Sequence, residues 1–318
     1  MSVEISVITC AHNPQPDYLS RVLDALKSQT LARDRWEYLL IDNASSAPLD
    51  TRFDLSWHPH ARHISEPELG LTHARLRGIA KSRGEVLVFV DDDNVLDEDY
   101  LKQALKLADE WPMLGSWSGQ SRPGFEEPPP EWTRRYWGNL VIRSLDHDSW
   151  SNLPHLPETM PCGAGLVVRR NVAEHYAYLH ASGKRQFILD RSGDSLASAG
   201  DNDLAACACD VGLGVGLFTT LSLTHLIPAS RLTESYLLRL IEGISFSGVI
   251  FRSFRSPELI NDSLARRIVN KARQLRMGRR ERLFFRASLR GAATGREYLD
   301  KNSSTLQPAK GVGHESAI

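Results

Sequence analysis

The sequence predicts an α/β fold: a mainly parallel sheet flanked by helices, followed by a helical C-terminal extension. Three features carry that expectation. Short apolar runs alternate with amphipathic helical patterns over the first 110 residues, the arrangement that builds parallel sheets through crossover helices. One run, Glu85-Val86-Leu87-Val88-Phe89-Val90, shows no polar alternation, as suits a strand buried on both faces. Acidic clusters follow two of the strands, and ligands of open α/β sheets gather at the carboxyl ends of strands.

The first strand runs from Ile5 to Cys10, and Asn13, Pro14 and Pro16 then open a helix marked by Leu19, Val22, Leu23 and Leu26 at i, i+3, i+4 and i+7. A second strand, Tyr38 to Ile41, ends in the turn-forming cluster Asp42-Asn43-Ala44-Ser45-Ser46. A helix around Thr72 to Ser82 leads into the unbroken apolar strand, which stops at Asp91-Asp92-Asp93-Asn94. Leu101, Ala104, Leu105 and Ala108 mark the next helix. From Gly115 to Pro161 the periodicity fails, amid prolines and Trp117, Trp132, Tyr136, Trp137 and Trp150. A structureless stretch this long in a compact domain reads as a functional loop or cleft wall, with rings suited to stacking on sugars. Order resumes at Gly163-Ala164-Gly165-Leu166-Val167-Val168, then a helix from about Asn171, an irregular segment, and a helix starting near Asp201. A strand from Leu217 to Thr224, ended by His225 and Pro228, precedes a helical remainder that frays from Asn302.

With 318 residues and 42% hydrophobic content, one large domain plus a tail is affordable. A formal net charge of -1 gives no reason to expect a nucleic-acid partner. The charge is nevertheless uneven: residues 252–290 carry twelve Arg or Lys against three acids, about +9, and the rest about -10. Cys10, Cys162, Cys207 and Cys209 show neither metal-finger spacing nor disulfide density, which fits a reducing compartment. Cys207 falls with Leu204, Ala208 and Val211 on a helix's apolar face, where core packing is its expected role. The N-terminus lacks the form of a signal peptide and no apolar run approaches the ~20 residues of a membrane span. A soluble cytoplasmic protein is expected.

The residues alone leave several roles open. Three adjacent aspartates at a buried strand's end would repel one another, so a divalent cation is a natural partner. They also fit an exposed turn before a helix N-terminus. Asp42 suits either a turn or an acceptor for a nucleotide's base or ribose. Gly200-Asp201-Asn202-Asp203 could cap a helix or present a carboxylate base, and His225 could be structural or a ligand.

The order of motifs resembles family 2 glycosyltransferases of the GT-A fold: Val7-Ile8-Thr9-Cys10-Ala11-His12-Asn13, Ile41-Asp42-Asn43-Ala44-Ser45, Gly70-Leu71-Thr72-His73-Ala74-Arg75, Phe89-Val90-Asp91-Asp92-Asp93, Gly163-Ala164-Gly165 and Gly200-Asp201-Asn202-Asp203-Leu204. The resemblance implies a Rossmann-like, mixed, mainly parallel sheet. It also implies a glycosyltransferase domain over residues 1–240, with a nucleotide-sugar half (1–110) and an acceptor half (111–240), and an extension over 241–318. By resemblance Cys10, His12 and Asn13 would line the nucleoside pocket, Asp42 would bind the base, and Arg75 would lie beside base or diphosphate. Asp91 to Asp93 match the DxD motif, Asp93 holding Mn²⁺ or Mg²⁺ while Asp91 and Asp92 contact ribose and sugar. Gly163 to Gly165 would turn beside the acceptor. Asp201 aligns with the family's catalytic base and Asp203 with a second acid on the acceptor side. Gly200 stands where the family usually has glutamate. His225 matches a late histidine that completes the metal site in some members.

The expected reaction is therefore inverting transfer of a sugar from a nucleoside-diphosphate donor, UDP by default, to a glycan, lipid-linked or small-molecule acceptor. Two rivals stand beside it. A sugar nucleotidyltransferase would need a Gly- and Lys-rich loop after the first strand, where this chain has Ala11-His12-Asn13-Pro14-Gln15-Pro16. The other is a degenerate sugar-binding subunit. In the tail, Leu264, Ile268, Ala272 and Leu275 recur at near-helical spacing amid Arg266, Arg267, Lys271, Arg273 and Arg276. Peripheral contact with the cytoplasmic face of a membrane and packing on the acidic body through the same leucines are both open.

Overall fold

The computed structural model describes residues 3–154, 156, 158–185, 189, 198–255 and 264–302. Its N-terminal half is a parallel unit of β1 (Ile5–Ala11), β2 (Trp36–Asn43), β3 (Ala61–Glu66) and β4 (Val86–Phe89), arranged β3-β2-β1-β4. Its second half comprises β5 (Asn94–Leu96), β6 (Leu114–Phe125), β7 (Ser149–Ser151), β8 (Leu166–Arg169) and β9 (Gly214–Ile227). The order continues β8-β6-β9-β5, with β7 also on β9. The sheet is thus mixed, and its long pairings are the parallel ones. β1 meets β2 over seven residues and β6 follows β9 along its length, whereas each antiparallel pairing joins four residues or fewer.

Helices cover both faces. α1 (Pro16–Lys27) and α3 (Tyr100–Glu110) pack on one side; α2 (Leu71–Lys81), α4 (Arg170–Ala181) and α5 (Gly200–Asp210) pack on the other. α1 follows its sequence pattern closely, with Pro16 at its start, where the missing N–H costs nothing, and Leu19, Val22, Leu23 and Leu26 buried. β4 is buried at all four positions between β1 and β8, as the unbroken apolar run predicted. Cys207 is fully buried in the α5 face of the core.

The irregular excursion expected from Gly115 is overturned at its start, because residues 114–125 form β6. The strand was hidden by its own packing. Ser116 and Ser118 are fully buried, and a Cβ on Gly119 would lie 2.1 Å from the Leu221 carbonyl oxygen. Neighbours this close exclude the β-branched side chains that advertise a strand. β3 escaped notice for another reason: it is a polar edge strand, half-buried in alternation with exposed residues. The aromatic residues of the excursion serve mostly in packing. Trp117 is buried with the Arg169 guanidinium 5.5 Å from its ring centre, Tyr136 stacks on Phe284 at 4.0 Å, and Trp137 lies 5.0 Å from Phe125.

After β9 come α6 (Glu234–Ser253), α7 (Leu264–Leu275) and α8 (Arg279–Asn302). α6 begins with Thr233, whose side chain accepts from the Tyr236 N–H, and runs through residue 240 without a break. α8 lies against α6 at two glycines: a Cβ on Gly291 would stand 2.0 Å from the Glu242 carbonyl oxygen, and one on Gly295 2.9 Å from that of Phe246. Ion pairs Arg290–Glu242 (2.8 Å) and Arg280–Glu234 (2.7 Å) flank this contact. Among the described residues no helix is long and apolar enough to cross a membrane. The frayed end expected beyond Asn302 lies outside the described residues.

Candidate active site

At the carboxyl ends of β1 and β4 a polar cavity of about 180 Å³ is lined by Cys10, Arg75, Asp91, Asp92, Asp93, Gly163, Asp201, His225 and Arg231, with Leu71, Val141, Ala164 and Ser198. Sequence segments up to 220 residues apart thus converge where an open α/β sheet is expected to bind ligands. Four carboxylates face two arginines there.

The aspartate triplet leaves β4 and turns back into β5. Antiparallel pairing of β5 with β9 sets Asn94 opposite His225, and the Leu226 N–H donates to the Asp93 carbonyl at 2.8 Å. That register delivers His225 to Asp93. Asp93 is buried; Asn94 Nδ2 donates to its Oδ1 at 2.8 Å and the Arg231 guanidinium to its Oδ2 at 3.0 Å. His225 Nε2 lies 3.4 Å from the same Oδ2, while its Nδ1 sits 3.0 Å from the Leu140 carbonyl oxygen. A carbonyl partner demands a proton on Nδ1, so the Nε2 lone pair is turned toward Asp93 in the neutral ring. Burial and the neighbouring Asp93 charge raise the Asp91 carboxyl above the usual carboxylate range. The same causes, joined by Asp91, push Asp92 up to about 7. Both shifts express a surplus of negative charge in a shielded place.

This donor set suits a divalent cation. The carboxylate oxygen suits Mn²⁺ or Mg²⁺, and an oriented imidazole nitrogen favours the softer Mn²⁺ of the two, with substrate oxygens to complete the shell. Among the described residues no group of three or more His, Cys, Asp or Glu is placed to hold a metal, so the protein alone offers a partial site. Arg231 occupies the same Asp93 oxygen and would have to share it. Arg231 was not among the residues the sequence singled out as functional. The short turn Ala229–Leu232 after Pro228 carries it back to the cavity, and a cation six residues beyond His225 was the only available signal.

Asp201 stands at the N-terminus of α5. Its Oδ2 accepts the Gly163 N–H at 2.5 Å and its Oδ1 the Asn202 N–H at 2.9 Å. Space at Gly163 is tight, since a Cβ there would lie 3.0 Å from Asp201 Oδ2 and 3.4 Å from the Arg75 guanidinium. Arg75 is buried, and its charge opposes the upward shift at Asp91.

Asp201, Val141 and Ser198 also border a second cavity of about 410 Å³. Its walls are Leu156, Met160, Cys162, Ile244 and Phe251, with Arg143 and Arg252 as cations. Asp201 therefore sits where a polar and a largely apolar cavity meet. None of the six aromatic residues of the 115–161 segment, Phe125 included, lines either cavity.

Other expected site residues stand elsewhere. Asp203 lines neither cavity: helical geometry carries it away from Asp201, and it is buried beneath Arg185 (2.7 Å) and Arg255 (2.6 Å). Asp42 closes a turn instead of lining the polar cavity, accepting the Ser45 N–H at 3.1 Å and the Leu49 N–H at 3.0 Å. His12 and Asn13 knit the loops after β1 and β2 together. His12 Nδ1 lies 2.8 Å from the Asn43 carbonyl oxygen, and Asn13, at φ 48°, accepts the Ser46 N–H at 2.9 Å. Of the first strand's candidates, Cys10 reaches the polar cavity. Gly165 makes a tight turn at φ 68° under Tyr100, whose hydroxyl donates to its carbonyl at 2.6 Å.

Residues 6–176 match the family model described as Glycosyl transferase family 2. A 114-residue stretch is 27% identical to EpsH of Bacillus subtilis (strain 168), covering 33% of this chain and 30% of that protein. The chain covers about a third of the length of the curated relatives it matches. Among solved structures, S. aureus TarS 1-349 in complex with UDP superposes with a TM-score of 0.52 at 13% identity, over 97% of this chain and 93% of that one. The mannosyltransferase PcManGT from Pyrobaculum calidifontis, in complex with GDP-Man and Mn²⁺, gives 0.54 at 20% identity, over 96% and 81%.

Proposed function

Because the chain belongs to glycosyltransferase family 2 and has the GT-A fold, we propose that it moves a sugar from a nucleoside-diphosphate donor to an acceptor hydroxyl with inversion. The donor's diphosphate lies in the polar cavity and the acceptor enters from the apolar one. The observation that carries this reading is Asp201, the one carboxylate among the described residues that both cavities share. A base must touch the acceptor hydroxyl while facing the donor's anomeric carbon, and only the junction satisfies both demands.

Asp201 takes the acceptor proton as that oxygen forms a bond to the anomeric carbon, and the bond from that carbon to the diphosphate oxygen breaks on the opposite face. The electron pair leaves with the diphosphate. The Gly163 and Asn202 N–H groups hold the Asp201 carboxylate in place, leaving lone pairs toward the cleft. Arg75 and Arg231 bring positive charge to the side where the diphosphate gathers negative charge. Asp93 and His225 would hold the divalent cation, which when bound neutralises charge on the departing diphosphate. Asp91 and Asp92 contact ribose and sugar. Complexes of TarS with UDP and of PcManGT with GDP-Man and Mn²⁺ support a nucleotide donor and a cation, with UDP as the first donor to try.

The test is thermal stabilisation by a panel of nucleotide sugars with and without Mn²⁺. A true donor at ~100 times its Kd should add nearly 3 kcal/mol. Asp93→Ala should remove the Mn²⁺-dependent part and leave the fold intact, and His225→Ala should raise the Mn²⁺ concentration required. The anomeric proton of the product, read by NMR, must show the configuration opposite to the donor's. Retention would overturn the single displacement, and unchanged donor affinity in the Asp93 variant would overturn the metal site.

A further inference from the structure

Helix α7 is packed inside out. Ile268, Val269 and Leu275 are 61%, 62% and 82% exposed, and Ala272 is exposed with them. The half-buried positions of its described part are instead the polar Asn270 and Gln274. α8 grips that polar side: Arg282 Nε donates to the Gln274 backbone carbonyl at 3.0 Å, and Arg286 Nε to its side-chain carbonyl at 3.0 Å. Arg273 lies with its guanidinium 5.4 Å from the Phe285 ring centre. A helix that covers a protein's core does the reverse, burying its apolar stripe.

Ile268, Ala272 and Leu275 stand at i, i+4 and i+7, hence on one face, with Lys271 and Arg276 at its margins. Leu283, 39% exposed at the start of α8, adds to the apolar surface beside Arg279, Arg282 and Arg286. Residues 264–280 contain seven Arg or Lys and no Asp or Glu. The patch therefore combines an outward apolar stripe with an excess of positive charge along its borders, of which Arg280 is paired to Glu234.

We propose that α7 and the start of α8 form a docking face for an anionic phospholipid surface. The apolar stripe enters the boundary between headgroups and acyl chains, and the flanking Lys and Arg meet lipid phosphate. Packing on the protein's own acidic body through the same apolar residues is excluded by their exposure. A second copy would bring like charges together, and a nucleic-acid backbone would leave the isoleucine and leucine in water.

Flotation of the full chain with vesicles tests the proposal. At low salt it should rise with phosphatidylglycerol-rich vesicles and stay down with pure phosphatidylcholine. Lys271→Glu with Arg276→Glu should weaken binding by about 25-fold or more, each lost basic charge alone being worth roughly fivefold. Ile268→Asn with Leu275→Asn should weaken it comparably without shifting the melting temperature, since both side chains already face water. Tyr178→Glu, at a 55% exposed ring on α4, should leave binding unchanged. The proposal is overturned by absence of flotation, by flotation that ignores Ile268 and Leu275, by self-association of the vesicle-free protein through this face, or by DNA binding that anionic vesicles do not compete.

Discussion

Two clusters of aspartate and arginine lie on either side of one helical turn at the start of α5, and they are built to opposite rules. Beneath the helix Asp203 and Asp210 meet Arg185 and Arg255, two charges against two, with Asp203 3% and both arginine side chains 8% exposed. In the cleft, among the described residues, four aspartates face two arginines, and burial with mutual repulsion drives Asp92 up to about 7. A balanced buried network needs nothing further and holds structure together. An unbalanced one is stable only as long as the fold compels it, and it gains most from a positive partner, the condition expected of a site that binds. Asp201 and Asp203 are two residues apart, so charge balance, and not sequence motif, separates their roles.

Substitutions should divide along the same line. The largest effect belongs to Asp201→Asn, which should lower kcat by ~10²- to 10⁴-fold while calorimetric donor titration gives an unchanged affinity. Full activity in that variant, with loss in Asp203→Asn, would move the base to the wrong cluster and end the comparison. Next comes Arg255→Met, which strands Asp203 and Asp210 beside a single arginine. Breaking a buried pair from one side costs about 3–5 kcal/mol, to be read by urea denaturation, with kcat per folded molecule preserved. The smallest and most discriminating is Asp92→Asn. Removing one charge from the surplus should stabilise the metal-free protein by about 1 kcal/mol, a rise of roughly 2–4 °C in Tm. The gain should vanish once Mn²⁺ and donor are present. A loss of stability like that of the Arg255 variant would show that the cleft is balanced after all.

What could be read in advance follows from how local each signal was. β1, α1, β4 and α5 are encoded in short windows by apolar periodicity, and their core residues are where the pattern put them. β6 could not be read, because Gly115 and Gly119 record contacts with Ala208 and Leu221, and Ser116 a hydrogen bond to Ala205, roughly 90 to 100 residues away. The aspartate triplet and Asp201 were legible as motifs, and the polar cavity brings them together. Asp203 was misplaced because spacing shows that a carboxylate opens a helix but not which way it points. The arginines that neutralise it, at 185 and 255, carry no local mark. Arg231 escaped for the same reason, as its relation to Asp93 spans 138 positions of chain.

The glycines that seat α8 on α6 reach further than packing. One flank of α6 supplies Ile244, Gly248 and Phe251 to the larger cavity, and its backbone carbonyls at Glu242 and Phe246 meet Gly291 and Gly295 of α8. At Gly291 the neighbouring atoms are all backbone, with no flexible side-chain end to absorb a change. Even one methyl group at position 291 must shift one helix against the other, and any shift taken up by α6 redraws the wall of a chamber that position 291 does not line. Under the proposed assignment of that chamber to the acceptor, preference among acceptors can be retuned from outside, one small residue at a time. The strands whose ends meet the polar cavity, β1 and β4, take no part in that adjustment, so selectivity for the proposed donor would stay fixed while acceptor choice drifts.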